Sequence, residues 1–506
     1  MDLDAFTELL TPRGQRALAE AVELRDADPV VAATSLRRTY DAALASAALT
    51  QARLRERARA KFGADAELMY FTPHGLEQAT RAEVAAHRAA RLLAACALEP
   101  ASPGASSPPP DPRSPGRTSR DPRGEALGEA GASLGEGARR EAGPGSGEGI
   151  EEADPGWGEG APGGASHRLT GETGSGRHGA AGPGLGEGAL GGAAEGPGGG
   201  VRGGTREGPR VVDVCCGSGG DLLALARAGC VVDAVDTDPL TVAVARANAE
   251  AFGLAGRVTV RVADAASVSP EDYDVLFADP ARRTSRGRTF DPMAYSPPWP
   301  VVLDLLARAP RACLKVAPGI PYEFIPEGAE AEWVSYKGEV KEASLWTSPG
   351  REAGLVRLAT LLPGGHVLRD TGAVAPTGPL GQYVYEPDGA AIRAHLVGEV
   401  AELVGGRLPD PMIAYITGDE PVDTPWAARY EVEEALPFSL KRLRAALRDR
   451  KIGNVTIKKR ASAVDIERLR SDLRLSGTES AVVILTRIMD KPTALICRPG
   501  SSARPA

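Results

Sequence analysis

Cysteine is scarce in this chain and badly spaced for a structural role. Its six cysteines, among 506 residues, form no C-x-x-C pair and no Cys/His ligand spacing, and Cys215 and Cys216 are adjacent. That argues against a disulfide framework or a zinc site, so no metal is expected. Long apolar runs are missing as well: none approaches the ~18 residues that a membrane span needs. The start, MDLDAFTELL, lacks a basic n-region. A soluble cytoplasmic protein with no membrane partner is expected. A formal net charge of −8 excludes an overall polycation but leaves local basic patches open. The length exceeds one ordinary core, which predicts two or three domains.

Glycine, by contrast, is abundant and unevenly placed. Between 100 and 209 lie 33 of the 61 glycines, and the single aromatic there is Trp157. Such a segment cannot bury enough apolar surface to offset its ordering entropy, so 99–209 is expected to be a disordered Gly/Pro-rich linker. Before it, 1–98 reads as helices only, with Thr11-Pro12 and Thr72-Pro73 as N-cap and first helical residue. These helices either contact substrate or merely cover the next domain.

After the linker, strands and helices alternate. VVDV, VVDAVD, VTVRVAD and YDVLFAD are apolar strand-like runs, with helices DLLALARA and Pro239 to about Phe252 between the first three. That order predicts an α/β domain at 210–350 with a Rossmann-like doubly wound sheet. A β-rich connecting region follows at 351–427. From 428 to 500, a strand–helix–strand–helix–strand–strand pattern predicts a small α/β domain.

The first strand runs into D-V-C-C-G-S-G-G-D (213–221) and then a helix. Glycines there let backbone N–H groups approach a ligand at a helix N-terminus. A nicotinamide fingerprint would require a third glycine where Leu222 stands. More specific is the series of carboxylates closing successive strands: Asp213 before the loop, then Asp236, Asp264 and Asp279. Asp236 lies about 20 residues past the loop, where an acid can hold ribose hydroxyls. A single strand-end Asp is often a helix cap; four in order, all at the ligand edge, point to a nucleoside-bearing cofactor.

These residues resemble the class I S-adenosylmethionine-dependent methyltransferases over about 209–350. The loop "DVCCGSGGD" is similar to that of trimethylguanosine synthase-type RNA methyltransferases. With "FADPARR" and the C-terminal tail, it resembles bacterial methyltransferases that carry a THUMP-like C-terminal domain, THUMP domains being RNA-binding modules. The resemblance implies S-adenosylmethionine as cofactor, held by Asp213, Cys215, Gly217, Gly219, Asp236, Asp264 and Ala265. It implies Asp279, Pro280 and Arg282 as the substrate-side catalytic motif. Arg282 replaces the aromatic that amino-methylating relatives place there, which leaves the acceptor's identity open.

Two tetrapeptides compete for that motif, DPAR at 279 and SPPW at 296. Strand YDVLFAD delivers Asp279 to the ligand edge. Ser296 followed by Pro297 reads instead as an N-cap with proline at the first helical position. Asp279-Pro280 is therefore the catalytic candidate, with Trp299 a further residue for the substrate cleft. Arg283, Arg286 and Arg288 suit RNA phosphates or stacking on bases. Nine Lys or Arg occupy 441–460 against one acid, Asp449. Lys458, Lys459 and Arg460 are expected to form one positive face with helix SLKRLRAALRDR, an RNA-binding footprint. The leading reading is a methyltransferase acting on structured RNA, rRNA or tRNA. The alternatives are a protein or small-molecule methyltransferase, and a non-catalytic RNA-binding protein that retains the fold.

Overall fold

Capping side chains set the N-terminal helices. Asp2, Thr11, Asp28, Asp41 and Thr72 each accept a backbone N–H in the first turn of the helix that follows. Each thereby satisfies a donor that the helix leaves unpaired. The helices run Leu3–Leu9, Pro12–Glu23, Pro29–Leu36, Ala42–Phe62, Pro73–Gln78 and Ala82–Ala97. The computed structural model describes residues 1–97, 208–281, 283–284, 287–288, 291–348 and 354–499, with backbone alone at 283–284, 287–288 and 499. Apart from its last two positions, the expected linker at 99–209 lies outside the described residues.

Past the linker, the apolar β-branched runs become strands. The large sheet has nine, in the order His366–Arg369, Val356–Leu362, Glu330–Tyr336, Glu339–Thr347, Ala312–Val316, Val275–Ala278, Arg210–Asp213, Val231–Asp236 and Val258–Val262. The strand Arg210–Asp213 pairs in parallel with Val231–Asp236 on one side and Val275–Ala278 on the other. The chain thus winds outward, returns, and winds the other way. That reversal opens a crevice at the carboxyl ends of these two inner strands, Arg210–Asp213 and Val275–Ala278.

Strand alternation buries both faces of the sheet. Val211, Val232, Val275 and Phe277 pack under Leu54, Phe62 and Leu92 of the N-terminal helices and Leu222 and Val242 of the crossover helices. Val212, Leu276 and Leu314 face the other way, against Val302 and Leu305 of helix Trp299–Arg308. The N-terminal helices are therefore part of the sheet's cover.

A second sheet of six strands runs Ile416–Gly418, Tyr383–Pro387, Ala427–Pro437, Lys491–Pro499, Glu479–Ile488 and Ile452–Lys459. Helices Leu440–Asp449 and Ile466–Leu473 cover one face through Leu443, Leu447, Leu469 and Leu473. The strands between 351 and 427 divide between the two sheets. Val356–Leu362 buries Leu358 and Ala359 by pairing with Glu330–Tyr336, whereas Tyr383–Pro387 pairs with Ala427–Pro437. Among the described residues no helix is long and apolar enough to cross a membrane. No group of three or more His, Cys, Asp or Glu among them is placed to hold a metal.

Charge fastens helix Ala82–Ala97 to the sheet. Arg88 pairs with Glu342, and Arg91 with Glu330 and Glu332. Glu332, almost wholly buried, also meets His87 Nε2 at 2.7 Å and accepts from Thr360 Oγ1 at 2.6 Å. Burial by itself pushes the Glu332 carboxyl up, but the His87 hydrogen bond and the Arg91 charge outweigh it and hold the group down to about 2. A carboxyl held below its unfolded value of 4.5 stabilises the fold above that pH and loses its effect as the pH falls through about 2. Removing one partner of a buried ion pair costs roughly 3–5 kcal/mol. Glu332→Gln is therefore expected to lower unfolding free energy by about that amount at neutral pH, and progressively less below pH 4.5. Denaturant titrations across pH test this; a deficit independent of pH contradicts it.

Candidate active site

The crevice is a cleft of about 230 Å³. Asp213, Asp236, Asp264 and Asp279 all line it, so the sequence-predicted series of acids converges on one space. Cys215, Gly217 and Ala265 are in its wall too; Gly219 and Pro280 are not. Another part of the wall comes from the N-terminal region, through Gly75, Gln78, Ala79 and Thr80. These residues gave no sequence signal.

Glycine shapes the loop between the first strand and its helix. Gly217 and Gly219 have φ of 52° and 85°, the left-handed region open to glycine at little cost. Helix Gly220–Arg227 starts directly after them. Asn248, wholly buried in helix Pro239–Ala251, ties the loop to the N-terminal wall. Its Nδ2 donates to Ser218 O at 2.8 Å and to Tyr70 O at 3.0 Å, while its Oδ1 accepts from Tyr70 N at 2.7 Å. Gln51 pairs with Phe71 in the same two-way manner, at 2.6 and 3.1 Å. Gly75 presses so close that a Cβ there would lie 2.0 Å from Ser218 Oγ.

The acids have different surroundings. Asp213 is fully buried. Its Oδ1 accepts from Cys215 N at 3.2 Å, and its Oδ2 has no hydrogen-bond partner among the described residues. Burial, and then the charges of Asp279 and Asp236, push this carboxyl up to about 7. Asp236 Oδ2 accepts from Gly217 N at 3.2 Å and its Oδ1 from Asp238 N at 3.0 Å; burial raises it too. Asp264 is exposed and accepts from Ala266 N at 2.8 Å, capping the short turn Ala265–Ser267. Burial and the neighbouring carboxylates push the Cys215 and Cys216 thiols well above the usual range, so neither is a thiolate at neutral pH.

Asp279 has a partner that the sequence concealed. Its Oδ2 meets Lys315 Nζ at 2.5 Å. Lys315, only 4% exposed on strand Ala312–Val316, also donates to Thr80 Oγ1 at 2.7 Å. Thr80 Oγ1 donates to Asp221 Oδ2 at 3.0 Å, and Asp221 pairs with Arg88. A lysine inside the apolar run ACLKV was the available signal. A buried lysine needs an anion.

Both tetrapeptides reach the cleft. Ser296 is not the helix cap expected of it: it pairs with Ala281 through two backbone hydrogen bonds of 2.8 and 3.0 Å. Helix Trp299–Arg308 begins after Pro298 instead, with Pro300 in its first turn. Ser296, Pro297 and Pro298 therefore line the cleft beside Asp279. Trp299 does not. It is buried edge-on against Tyr295 and Phe324. Arg282 and Arg286 lie outside the described residues, as do the side chains of Arg283 and Arg288.

The expected single basic face in the C-terminal domain is divided by strand alternation. Lys458 pairs in register with Ile484, which belongs to the core on the side away from the helices. There Lys458 meets Glu386 at 2.6 Å, and Arg460 lies 4.0 Å from the same carboxylate. Lys459 is exposed on the helix side, where its Nζ donates to Val464 O at 3.1 Å. Arg450 is neutralised by Glu433 and Glu434. Exposed Lys441 and Arg442 form no ion pair among the described residues.

Asp213 yields a prediction with the opposite sign to Glu332. An acid held at about 7 in the fold and 3.8 when unfolded binds more protons in the folded state across that interval. Its contribution therefore weakens as pH rises from 3.8 to about 7 and is constant above. Asp213→Asn is expected to raise the melting temperature of the ligand-free protein above pH 7, with no gain near pH 3.8. Thermal melts across pH test it; a variant destabilised at every pH contradicts the burial account.

The RNA cap guanine-N2 methyltransferase family model matches residues 208–302, a THUMP domain-like model matches 427–499, and a domain of unknown function matches 2–58. Uncharacterized S-adenosylmethionine-dependent methyltransferases from two strains of Mycobacterium tuberculosis are each 36% identical over 302 residues, covering 57% of this chain and 82% of the relative. A crystal structure of a provisionally assigned methyltransferase of Porphyromonas gingivalis W83 is similar at 22% identity and a TM-score of 0.49, over 58% of this chain and 78% of that one. A Thiobacillus denitrificans S-adenosylmethionine-dependent methyltransferase, solved with S-adenosylhomocysteine, is 28% identical over 21% of this chain and 42% of its own, with a TM-score of 0.17. The extent of the mycobacterial match places this chain among the S-adenosylmethionine-dependent methyltransferases.

Proposed function

We propose that this methyltransferase modifies a base nitrogen in structured RNA, rRNA or tRNA, in the cytoplasm. The observation that carries the reading is one cleft in which the orphaned carboxylate of Asp213 and the anchored carboxylate of Asp279 stand at adjacent strand ends. The match of the cleft-bearing segment to an RNA methyltransferase family supports RNA as substrate, as does the THUMP domain-like match.

The residues present fit S-adenosylmethionine. Asp213 Oδ2 lacks a partner and is suited to the cofactor's ammonium. Asp236 would hold the ribose hydroxyls, Asp264 and Ala265 the adenine edge, and the backbone from Cys215 to Gly219 the methionine portion. When bound, the cofactor supplies a methyl group on a sulfonium, an electrophile for an in-line nucleophile. The chain's part is then to orient the acceptor and keep water out. Asp279 accepts the N–H of the acceptor amine, and Pro280 fixes the backbone beside it. Arg282 would stand where relatives place an aromatic. Arg283, Arg286 and Arg288, with Lys441, Arg442 and Lys459, would bind phosphate; Lys458 and Arg460 would contribute less, their charge being met by Glu386.

Incubation with isotopically labelled S-adenosylmethionine and unmethylated total RNA, followed by mass spectrometry of nucleosides, tests the reading. Label is expected in RNA. Asp279→Asn should reduce transfer by about 10²-fold or more, the usual effect of losing a group aimed at the reacting centre, with S-adenosylhomocysteine affinity nearly retained. Label in protein or small molecules instead contradicts the RNA assignment, and no transfer at all contradicts a catalytic role.

A further inference from the structure

Asp279 and Asp213 stand at the ends of neighbouring parallel strands, in a wall that carries five carboxylates. A cluster of like charges ordinarily sheds charge by taking up protons. Among the described residues two buried cations enter this cluster: Arg88 pairs with Asp221, and Lys315 with Asp279. Lys315 Nζ lies 2.5 Å from Asp279 Oδ2 and is steadied by Thr80 Oγ1 at 2.7 Å. Asp213, a few residues away in space, has no cation in hydrogen-bond contact and keeps an orphaned oxygen. The two acids therefore differ in their partners within one site, an ammonium for Asp279 and none for Asp213 Oδ2.

We propose that Lys315 is a positioning residue for the methyl acceptor: it holds the Asp279 carboxylate by Oδ2, in one orientation and as a fixed anion, so that Oδ1 orients the acceptor amine without taking its proton. This rests on the reading of Asp279 as the acceptor-side acid and adds a division of labour to it. A carboxylate already engaged by an ammonium is a weak base, yet it still accepts a hydrogen bond through its other oxygen. As the C–N bond forms and the sulfonium C–S bond breaks, the methylated nitrogen keeps the extra proton and gives it up to solvent once the product leaves the cleft. Because Thr80 comes from the N-terminal region, that region helps set the acceptor geometry besides walling the cleft.

The charge of Asp279 acts on Asp213, which allows a test that needs no acceptor. The groups facing this pair are Lys315, Arg88, Asp236 and Cys215, with Asp221 reached through Thr80 and Lys61 adding positive charge from helix Ala42–Phe62. Calorimetry gives S-adenosylhomocysteine affinity against pH for the full chain, for Lys315→Arg, Lys315→Met and Asp279→Asn, with thermal melts alongside. In the unaltered protein, affinity is expected to fall on the acid side as Asp213 takes up a proton. Lys315→Met leaves two facing carboxylates without that cation, so that limb moves to higher pH; for a shift of one pKa unit from about 7, affinity is about fivefold weaker at pH 7 and approaches tenfold weaker at lower pH. Lys315→Arg should stay near the unaltered profile. Asp279→Asn removes an anion and moves the limb to lower pH.

Limbs that superimpose for folded Lys315→Met and the unaltered protein overturn the proposal and leave Lys315 a packing residue. If Lys315→Met fails to fold, Asp279→Asn decides alone: an unmoved limb means that Asp279 is not a fixed anion facing Asp213. Failure of RNA labelling would overturn the substrate reading without moving either limb, so the two failures are distinguishable.

Discussion

A single buried carboxamide joins the parts of this enzyme that make its cleft. Asn248 satisfies the N–H and C=O of Tyr70 and the carbonyl of Ser218, three backbone groups that would otherwise be buried without partners. Leaving such groups unpaired costs about 1–3 kcal/mol each. Asn248 sits on the crossover helix, Tyr70 in the N-terminal region and Ser218 in the glycine loop. The loop that would cradle the cofactor and the N-terminal part of the wall are thus fixed to one amide.

From that constraint follows the asymmetry of the acids. The N-terminal segment brings Thr80 and Arg88 to the sheet edge, and with them the bonds that steady Lys315 and Asp221. Asp279 is anchored as a result. Asp213, deeper and behind the glycine loop, keeps one oxygen unsatisfied and its proton up to about 7. A site prepared for a cationic ligand has this form: a desolvated carboxylate whose missing partner the ligand supplies.

Much of this was legible in the sequence because it is local. The glycine pair, the N-capping Thr11 and Thr72, and the alternation of strand and helix are all short-range patterns, and each became the element it indicated; the strand-end acids came together in the cleft. What escaped notice acts over long separations. Lys315 and Thr80 are 235 residues apart, and Arg88 and Glu342 are 254; no periodicity announces such pairs. Ser296 misled because Ser-Pro is a good capping signal locally, while the backbone of Ala281 offered it a strand-like partner. The basic run at 441–460, with Asp449 its one acid, looked nearly unpaired because Glu386, Glu433 and Glu434 arrive from other strands. A strand also sends successive side chains to opposite faces, which parts Lys459 from Lys458 and Arg460.

Hydrogen–deuterium exchange of the full chain with and without S-adenosylhomocysteine tests the central claim, that the glycine loop and the N-terminal wall form one cofactor cleft. Protection is expected in two stretches at once, 213–221 and 73–80, with a smaller change around Asp236 and Asp264. Protection confined to the loop, with 73–80 exchanging as before, would contradict it.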